Sequence, residues 1–410
     1  MNIIKIRLSS MMFLQFFIWG GWFVTLGTYL SQNLQADGPQ TGMAFATQSW
    51  GAIVAPFFVG LIADRYFNAE RLLGILHLIG AVLLCLMSQA VDFNSFYPLV
   101  LGYMLAYMPT LALVNSVSFG QMKQPEREFG QIRVWGTIGW IAAGLIISYF
   151  FGWDASDAIA SGALKNTFVM CAIASLILGV FSFTLPSTPP QAKDKSVNLG
   201  ELMGLDALKL LKNRNFAMFF LSSILICIPL AFYYQNANPF LTAVGVENAT
   251  GKMTLGQVSE VVFMLTLPLF LNRFGIRWTL MLGMVAWVLR YILFAFGDAG
   301  SGMALLFVGI ALHGICYDFF FVSGQIYTNS KAGPSHKSAA QGMITLATYG
   351  IGMLIGFSVA GLITEAYTSS QMVNWPKVWL FPAGFATLVL VVFSLVFQNE
   401  KLASKQGQHL

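Results

Sequence analysis

Four charged residues lie inside stretches of the sequence that are otherwise strongly apolar: Arg133, Glu260, Arg290 and Asp318. If those stretches cross a membrane, each charge costs about 3 kcal/mol or more to place in the hydrocarbon. Such a side chain therefore faces the interior of a helix bundle, where it pairs with another group or contacts a water-filled cavity. Residues of this kind are typical of substrate and proton pathways, so these four are the first candidates for a functional site.

Arg133 shares one helical face with a hydroxyl and an indole. In "IRVWGTIGW" its neighbours at i+4 and i+7 are Thr137 and Trp140. Together they offer hydrogen-bond donors to sugar or base oxygens and a flat surface for stacking. The pattern predicts one wall of a substrate site. The alternative is that Arg133 lies near a helix end and only extends its guanidinium to the membrane surface.

Glu260 follows Gln257 by three residues in "GQVSEVVFMLTLPLF", so the two side chains lie on one helical face. An amide beside a carboxylate can bind a polar cargo, and a lone buried carboxylate can exchange a proton near physiological pH. A structural ion pair with a neighbouring helix is the other interpretation of Glu260.

A third group of candidates comes from "LHGICYDFFFVSG" and the segment before it. His313, Tyr317 and either Phe320 or Phe321 form one stripe at i, i+4 and i+7 or i+8, and Asp318 adjoins it. Arg290 in the preceding segment needs an acidic partner, and Asp318 is the nearer acid along the chain. Both a structural pair with Arg290 and proton coupling remain open for Asp318, and His313 is also compatible with a hydrogen-bonded core position.

The segment "IPLAFYYQNANPFLTAVG" is apolar at first and rich in amides later, and Pro229 and Pro239 interrupt it. Interrupted helices of this kind line the central cavity of many transporters. We therefore expect Tyr234 or Gln235 to face a cavity, while other polar groups satisfy backbone atoms that the prolines leave unpaired.

The composition identifies the kind of protein that positions these residues. Of 410 residues, 57% are hydrophobic and only 10% are charged, whereas soluble domains carry about 25% charged residues. Many apolar runs reach the roughly 20 residues that span a bilayer as a helix. The sequence therefore predicts an all-α polytopic membrane protein.

Apolar runs and their polar breaks predict twelve transmembrane helices. Their approximate limits are 8–32, 41–64, 71–91, 94–120, 130–152, 164–186, 214–242, 251–272, 276–297, 302–329, 337–366 and 376–397. With both termini on one side, seventeen of the 22 lysines and arginines fall on that side, three fall on the other, and two lie within or at the edge of spans. This asymmetry predicts that both termini are cytoplasmic.

The longest polar stretch between spans lies near the middle of the chain. It divides an N-terminal six-helix half, 1–187, from a C-terminal six-helix half, 214–398, with a cytoplasmic linker at 188–213 and a cytoplasmic tail at 399–410. Two six-helix halves in parallel orientation are the architecture of major facilitator transporters.

A short motif agrees with that architecture. In "GLIADRYFNAER" the residues Gly60, Asp64 and Arg65 match the G-x-x-x-D-R pattern of the loop between helices 2 and 3 in the major facilitator superfamily. The same residues are also compatible with an ordinary charged turn.

Several segments are more specific than the fold. They include "FLQFFIWGGWFVTLGTYL", "AYMPTLALVNSVSF", "IRVWGTIGW", "GQVSEVVFMLTLPLF" and "CYDFFFVSG". Through them the chain resembles, essentially from end to end, the nucleoside:H+ symporter family of bacterial nucleoside permeases. The resemblance implies a transporter that carries nucleosides inward with protons across the bacterial cytoplasmic (inner) membrane, with the proton as coupling ion and no other cofactor.

The resemblance also carries over to particular residues. Arg133, Thr137, Gln257, Glu260 and Asp318 match positions that line the family's nucleoside site. We predict proton coupling by Glu260 or Asp318 and a structural charge pair between Arg290 and Asp318. The complete set of predicted substrate-binding residues is Arg133, Thr137, Trp140, Tyr234, Gln257, Glu260, His313, Tyr317 and Phe321.

Some positions depart from the family pattern. Trp140 and Tyr317 keep aromatic character where well-known members have Phe, but Ala231 and Tyr234 replace a Gln and an Asn that contact the nucleoside, and His313 replaces a Tyr. The lost amides remove hydrogen bonds that could recognise a base or a ribose. The cargo is therefore a nucleoside or, alternatively, another small polar solute such as a sugar, a sugar–peptide fragment or a nucleobase.

The sequence gives little support to other functional classes. It contains no nucleophile–base set and no HExxH motif, and its four cysteines are scattered singly, so we expect neither an enzyme nor a metal site. The basic residues are dispersed among loops, which argues against a nucleic-acid partner. The expected partners are a small-molecule cargo and the lipid bilayer, and a monomer is compatible with the sequence.

Overall fold

The structure is a computed structural model that describes residues 3–58, 66–122, 124–190 and 205–400, with the backbone alone at 125–127, 205–206 and 333–338. The motif residues Gly60, Asp64 and Arg65 lie outside the described residues. So do most of the predicted linker and nearly all of the predicted tail.

The described residues are almost entirely helical. The long helices are α1 (Ile3–Asn33), α2 (Gly38–Phe58), α3 (Ala69–Met87), α4 (Phe93–Gly120), α5 (Glu128–Phe151), α6 (Lys165–Ser182), α7 (Arg214–Ala243), α8 (Ala249–Phe296), α9 (Met303–Ala332), α10 (Ala339–Ala366) and α11 (Trp375–Val396). A short helix covers Ser156–Ala160 and a 3-10 segment covers Leu205–Lys212. Thr368–Ser369 (β1) and Met372–Val373 (β2) form a small antiparallel hairpin.

Ten of these helices are long and apolar enough to cross a membrane, so the prediction of an all-α polytopic membrane protein is confirmed. The 48-residue α8 contains a break at Gly275, whose backbone has φ 73° and ψ 175°. That conformation favours glycine, and it falls at the predicted turn between the spans 251–272 and 276–297. The number of twelve spans and the cytoplasmic side of the termini stay predictions.

Backbone contacts divide the chain into two compact units. The first consists of Met1–Asn198, Tyr233–Thr254 and Phe357–Glu365, and the second consists of Leu199–Phe232, Leu255–Gly356 and Ala366–Leu410. Each unit therefore combines segments that are distant in sequence. The predicted division into two six-helix halves stays a prediction.

In the first unit, α1 packs against α5 and α6, while α4 packs against α2 and α3. Glycines bring α1 and α5 close together. A Cβ atom added at Gly139 would collide with the backbone of Phe13, and one added at Gly20 would lie 2.7 Å from the Trp140 ring. Small residues at helix crossings allow this close approach in membrane proteins, and here the crossing places the aromatic residues of α1 against the candidate face of α5.

A buried hydrogen-bond network ties α3 to α1 and α6. His77 is 1% exposed, with Nε2 at 2.8 Å from Gln15 Oε1 and Nδ1 at 3.1 Å from the Ser175 hydroxyl. The Gln15 amide donates to the Thr110 hydroxyl at 2.7 Å. The Tyr107 hydroxyl donates to the Gln15 carbonyl at 2.6 Å, so four helices of the first unit share one polar network.

The first turn of α8 belongs to the first unit, where Asp154 caps it. The Asp154 carboxylate accepts hydrogen bonds from the Thr250 N–H at 3.0 Å and the Ser148 hydroxyl at 2.6 Å. The Ser148 hydroxyl in turn accepts the Gly251 N–H at 2.7 Å. An anion at a helix N-terminus satisfies N–H groups that have no partner in the helix and matches the helix dipole. Asp154 was not predicted from the sequence, because its partners in α8 lie about 100 residues away.

Three of the cysteines, Cys171, Cys227 and Cys316, are buried, as expected for small apolar side chains, but Cys85 is exposed. Its neighbours Val82 and Leu86 on α3 are exposed as well, so this face of α3 packs against no described part of the protein. An apolar face of this kind suits contact with lipid.

In the second unit, Glu400 ties the start of α7 and the end of α9 to the segment after α11. Its carboxylate lies 2.5 Å from Lys331 Nζ and accepts hydrogen bonds from the Asn215 amide at 2.8 Å and the Tyr327 hydroxyl at 2.9 Å. Partial burial opposes ionisation, but these three hydrogen bonds outweigh it, and the pKa of the Glu400 carboxyl lies below its ordinary value of 4.5.

We expect Glu400→Gln to lower the stability of the protein at neutral pH by about 1–2 kcal/mol, because the substitution removes an ion pair and weakens charge-assisted hydrogen bonds. A carboxyl group whose pKa is lower in the folded state than in the unfolded state stabilises the folded protein at pH values above the unfolded-state pKa. This stabilisation is lost as the pH falls through the folded-state pKa. The difference in stability between wild type and variant should therefore shrink below pH 4.5. Thermal melting of the detergent-purified proteins over a pH series measures it.

Glu247→Gln is the matched control, because it changes an exposed carboxylate. Equal melting temperatures for wild type and Glu400→Gln at pH 7 would contradict the assignment of Glu400 as the residue that holds these three segments together.

Candidate functional site

The predicted face of α5 is present in the first unit. Arg133, Thr137 and Trp140 are all half-buried, and the Arg133 guanidinium lies 4.0 Å from the centroid of the Phe16 ring. A Cβ atom at Gly136 would lie 2.6 Å from that ring and 2.7 Å from the guanidinium, so this stacked pair requires the glycine. A cation over an aromatic face is stabilised by the ring quadrupole.

Aromatic side chains of α1 extend this face. Trp19 lies 5.6 Å from Trp140 and 5.7 Å from Tyr107, both in edge-to-face geometry. Phe23 lies 6.0 Å from Trp19 and 6.0 Å from Tyr234. We call Phe16, Trp19, Arg133, Trp140 and Tyr234 the aromatic cluster. It offers flat ring surfaces and a planar cation, which suit a heteroaromatic ring.

Phe16 and Trp19 were not predicted from the sequence. Their only signal is the three- and four-residue spacing of Phe16, Trp19 and Phe23 in "FLQFFIWGGWF". An aromatic stripe of this kind is equally typical of a core or of a face toward lipid.

The amide-rich end of α7 also lies in the first unit, and most of its polar groups have partners. Asn236 donates to the Thr364 hydroxyl at 3.0 Å, and Asn238 donates to the Thr250 hydroxyl at 3.0 Å. Gln235 is 1% exposed, and its amide faces the Phe357 carbonyl and the Gly361 N–H at 3.3 Å. Of the two residues predicted to face a cavity, the half-buried Tyr234 is therefore the better candidate.

The second unit holds a chain of three ionisable groups. The Arg290 guanidinium is 0% exposed, and its Nη1 lies 3.0 Å from Nδ1 of His313. On the other edge of the imidazole, His313 Nε2 lies 4.0 Å from Oε2 of Glu260. We call Arg290, His313 and Glu260 the polar triad.

Backbone contact between α8 and α9 positions the triad. The Gly314 N–H donates to the Ser259 hydroxyl at 3.0 Å. A Cβ atom at Gly314 would lie 2.5 Å from the Ser259 carbonyl carbon, and one at Gly256 would lie 3.2 Å from the His313 Cβ. The glycines therefore let the two helices touch where Glu260 and His313 face each other, with half-buried Gln257 one turn before Glu260.

The predicted pair of Arg290 and Asp318 is not among the ion pairs of the described residues, and Arg290 contacts His313 instead. The physical reason lies in the helix geometry. Asp318 follows His313 by five residues, which places the two about 140° apart around a helix, so a guanidinium at the face of His313 is directed away from Asp318.

Asp318 is 0% exposed, and neither of its carboxylate oxygens has a hydrogen-bond partner among the described residues. It begins a π-helical segment, Asp318–Val322. Such segments are rare and are often found at functional sites.

The predicted stripe on α9 is also present. Ring centroids of His313 and Tyr317 lie 6.0 Å apart, and those of Tyr317 and Phe321 lie 5.3 Å apart. The Tyr317 hydroxyl lies 2.6 Å from the hydroxyl of Tyr349, which belongs to a second π-helical segment, Leu346–Gly352. Tyr349 was not predicted, since no charge or motif in the sequence distinguishes it.

Comparison with known proteins now identifies the class. The fold matches a crystal structure of the nucleoside transporter NupG with a TM-score of 0.86 at 33% identity, covering 98% of this chain and all of that one. The protein is thus a polytopic transporter of the major facilitator type.

The family follows from the sequence. A sequence model of the nucleoside H+ symporter family matches residues 1–402, and the chain belongs to that family. The putative nucleoside transporter YegT of Escherichia coli is 43% identical over 404 residues, which cover 96% of this chain and 93% of that protein. The xanthosine permease of the same organism is 34% identical over 412 residues, which cover 96% of each. The resemblance stated from the sequence motifs is confirmed.

We expect Gly314→Ala to destabilise the second unit by about 1–3 kcal/mol, because its Cβ atom would overlap the Ser259 backbone and force α8 and α9 apart. The melting temperature of the purified protein measures this. Gly384→Ala on α11 is the matched control, since a Cβ atom there meets nothing within 4 Å, and Gly→Ala in an unobstructed helix is neutral or stabilising. Equal melting temperatures for the two variants would show that the crossing is looser than the structure indicates.

Proposed function

We propose that this protein imports nucleosides together with protons across the cytoplasmic membrane of a bacterium. The observation that carries the proposal is the family match over residues 1–402. Its chemistry agrees with the side chains, because Gln257, Glu260 and His313 offer hydrogen-bond donors and acceptors inside apolar helices. A cargo with ring hydroxyls suits this polar set.

In this proposal the aromatic cluster receives the base. Trp140 and Tyr234 supply ring surfaces, and Arg133 and Thr137 supply donors for base oxygens. Tyr317 and Phe321 add a second aromatic surface in the second unit. The fold operates by alternating access, in which a bound cargo is exposed to one side of the membrane and then to the other.

Asp318 and Glu260 are the groups proposed for proton coupling. A carboxylate without a hydrogen-bond partner inside a membrane helix is far less costly as the neutral acid than as the anion. Asp318 has this environment among the described residues, so we assign it the coupling proton. Glu260, beside the His313 N–H, is assigned mainly to the cargo.

We expect cells without their own nucleoside permeases to gain saturable uptake of radiolabelled nucleosides when they express this protein, and uptake should rise as the external pH falls. Asp318→Asn should abolish the rise with falling pH but retain exchange of nucleoside across the membrane, because exchange needs no net proton movement. Glu260→Gln should reduce exchange as well, by about tenfold or more, through loss of a charged hydrogen-bond acceptor.

The two acids control for each other in this experiment. If Asp318→Asn keeps the wild-type pH response while Glu260→Gln loses it, Glu260 carries the proton instead. Absence of nucleoside uptake by correctly inserted wild-type protein would overturn the proposed function.

Arg133→Lys should lower the efficiency of nucleoside uptake by about tenfold or more. Lysine keeps the charge but lacks the planar fork that stacks on Phe16 and donates two parallel hydrogen bonds. Initial uptake rates over a concentration series measure the effect. Arg214→Lys, at an exposed arginine, controls for the substitution itself, and equal efficiency in both variants would remove Arg133 from the cargo site.

One observation favours a second candidate cargo, a different small polar solute. Ala231 is 0% exposed, and with Tyr234 it stands where related permeases are expected to place amides for the nucleoside. A thermal-shift series with nucleosides, nucleobases and sugars separates the candidates, because a ligand stabilises the state that binds it. A shift with sugars alone would favour the second.

A further inference from the structure

The buried network around His77 has a defined direction of hydrogen bonding. The Thr110 hydroxyl donates to the Tyr107 carbonyl at 2.5 Å, so its oxygen accepts the amide N–H of Gln15 at 2.7 Å. The amide oxygen of Gln15 therefore faces Nε2 of His77, at 2.8 Å. Because an amide oxygen can only accept, His77 Nε2 carries a hydrogen and donates it to Gln15.

The opposite edge of the imidazole is also occupied. The Ser175 hydroxyl on α6 lies 3.1 Å from His77 Nδ1 and 2.9 Å from the His77 carbonyl oxygen. His77 is thus held between α6 and α1, with 1% of its surface exposed. A ring held at both edges directs its Nε2–H to one place, the Gln15 amide.

Gln15 is the point at which the network meets α1. It has no exposed surface, its amide contacts His77 and Thr110, and its backbone carbonyl accepts the Tyr107 hydroxyl at 2.6 Å. Dispersion contacts alone tolerate a small rotation of a helix about its axis, because they have no direction. Hydrogen bonds to both the side chain and the backbone of Gln15 oppose such a rotation of α1.

The aromatic residues of the first unit depend on that rotation. Trp19 follows Gln15 by four residues, so the two side chains lie on one face of α1. The Trp19 ring contacts the rings of Tyr107 and Trp140 at 5.7 and 5.6 Å. A Cβ atom at Gly20 would lie 2.7 Å from the Trp140 ring, so Trp140 packs directly on α1. A rotated α1 would therefore displace Trp140.

Polar groups are a costly way to fill the space between four helices of a membrane protein. Each group must lose its hydration, and each must then find a partner inside the protein. Apolar side chains would fill the same space without that cost. What the network adds is orientation, and the side chains that it orients lead to the aromatic cluster.

We propose that His77 is a positioning residue for cargo recognition. Through Gln15 it sets the rotation of α1, and this places Trp19 and Trp140 where they contact the base. The inference rests on the proposed function, in which the aromatic cluster receives the base. It adds to that function a residue of α3 that does not itself contact the cargo.

His77→Leu replaces the ring by an apolar side chain and removes the donor to Gln15. We expect it to raise the KM for uptake of radiolabelled uridine, or of adenosine if adenosine is preferred, by about tenfold, with Vmax per inserted molecule within about twofold of the wild type. His77→Gln places an amide N–H near the position of Nε2 and should return the KM to within about threefold of the wild type. A loss of stability alone would lower the amount of inserted protein without this change in KM.

Gln15→Leu should raise the KM as much as His77→Leu. The double variant should be no worse than either single variant, because the two residues act through one contact. Ser182→Ala is the matched control, since its buried hydroxyl on α6 donates to the Leu178 carbonyl within its own helix, and its KM should equal that of the wild type.

An unchanged KM in His77→Leu would overturn the proposal, and so would effects of the two single variants that multiply in the double variant. If His77→Leu does not insert into the membrane, His77→Asn gives the same comparison. Its shorter amide lies near the position of Nδ1 and does not reach Gln15, so the KM should again rise.

A second readout does not depend on transport. The sequence has ten tryptophans, so fluorine NMR of protein labelled with fluorotryptophan identifies Trp19 and Trp140 by the signals that Trp19→Phe and Trp140→Phe remove. Without cargo, we expect His77→Leu to shift both signals and His77→Gln to restore them, while the signal of buried Trp379 on α11 stays in place.

The fluorine signals also separate the two levels of the argument. Unchanged Trp19 and Trp140 signals in His77→Leu would contradict the positioning role, whatever the protein transports. Shifted signals together with no nucleoside uptake by correctly inserted wild-type protein would instead overturn the proposed function.

Discussion

The Arg290 guanidinium has no exposed surface and must therefore find its hydrogen-bond partners inside the protein. Leaving such a charge unpaired in an apolar interior costs several kcal/mol. Its Nη1 contacts an imidazole nitrogen of His313, and this contact has consequences beyond Arg290 itself. It determines the tautomer of His313, directs the remaining N–H toward Glu260, and requires that α8 and α9 approach closely enough for both contacts. Glycines at 256 and 314 make that approach possible, so the chemistry of the triad depends on a backbone contact.

The first unit accommodates a guanidinium in a different way. Arg133 is half-buried and packs on the face of Phe16. A ring contact uses the face of the guanidinium, whereas hydrogen bonds use its edge, so stacking is compatible with donation to a cargo. Here too a glycine, Gly136, provides the space. One arginine thus acts as a fixed internal partner, and the other is suited to contact with the cargo.

The sequence predicted the parts of this protein that depend on composition and local spacing. Apolar runs predicted the helices, a polar interruption predicted the break at Gly275, and four-residue spacing predicted the stripe of His313, Tyr317 and Phe321. Contacts between helices were less accessible. Nearness in sequence favoured Asp318 as the partner of Arg290. The helix between positions 313 and 318, however, directs the side chains of His313 and Asp318 to different faces, and Arg290 lies at the face of His313. Phe16, Trp19 and Tyr349 were missed because an aromatic residue has the same signature in a core, against lipid or at a site.

The environments of the two acids differ in a way that separates their functions. Glu260 lies across from a neutral N–H donor and retains some exposure, so its anionic form has a polar neighbour. Asp318 begins a π-helical segment with no hydrogen-bond partner for its carboxylate among the described residues. Two carboxyl groups in unlike surroundings can serve as a fixed anion and as a proton carrier at the same pH. A group that binds cargo as an anion throughout the cycle cannot also take up a proton without weakening that binding, and two separate acids avoid this conflict. The proposed roles therefore assign cargo binding to Glu260 and proton uptake to Asp318, on separate side chains within one unit.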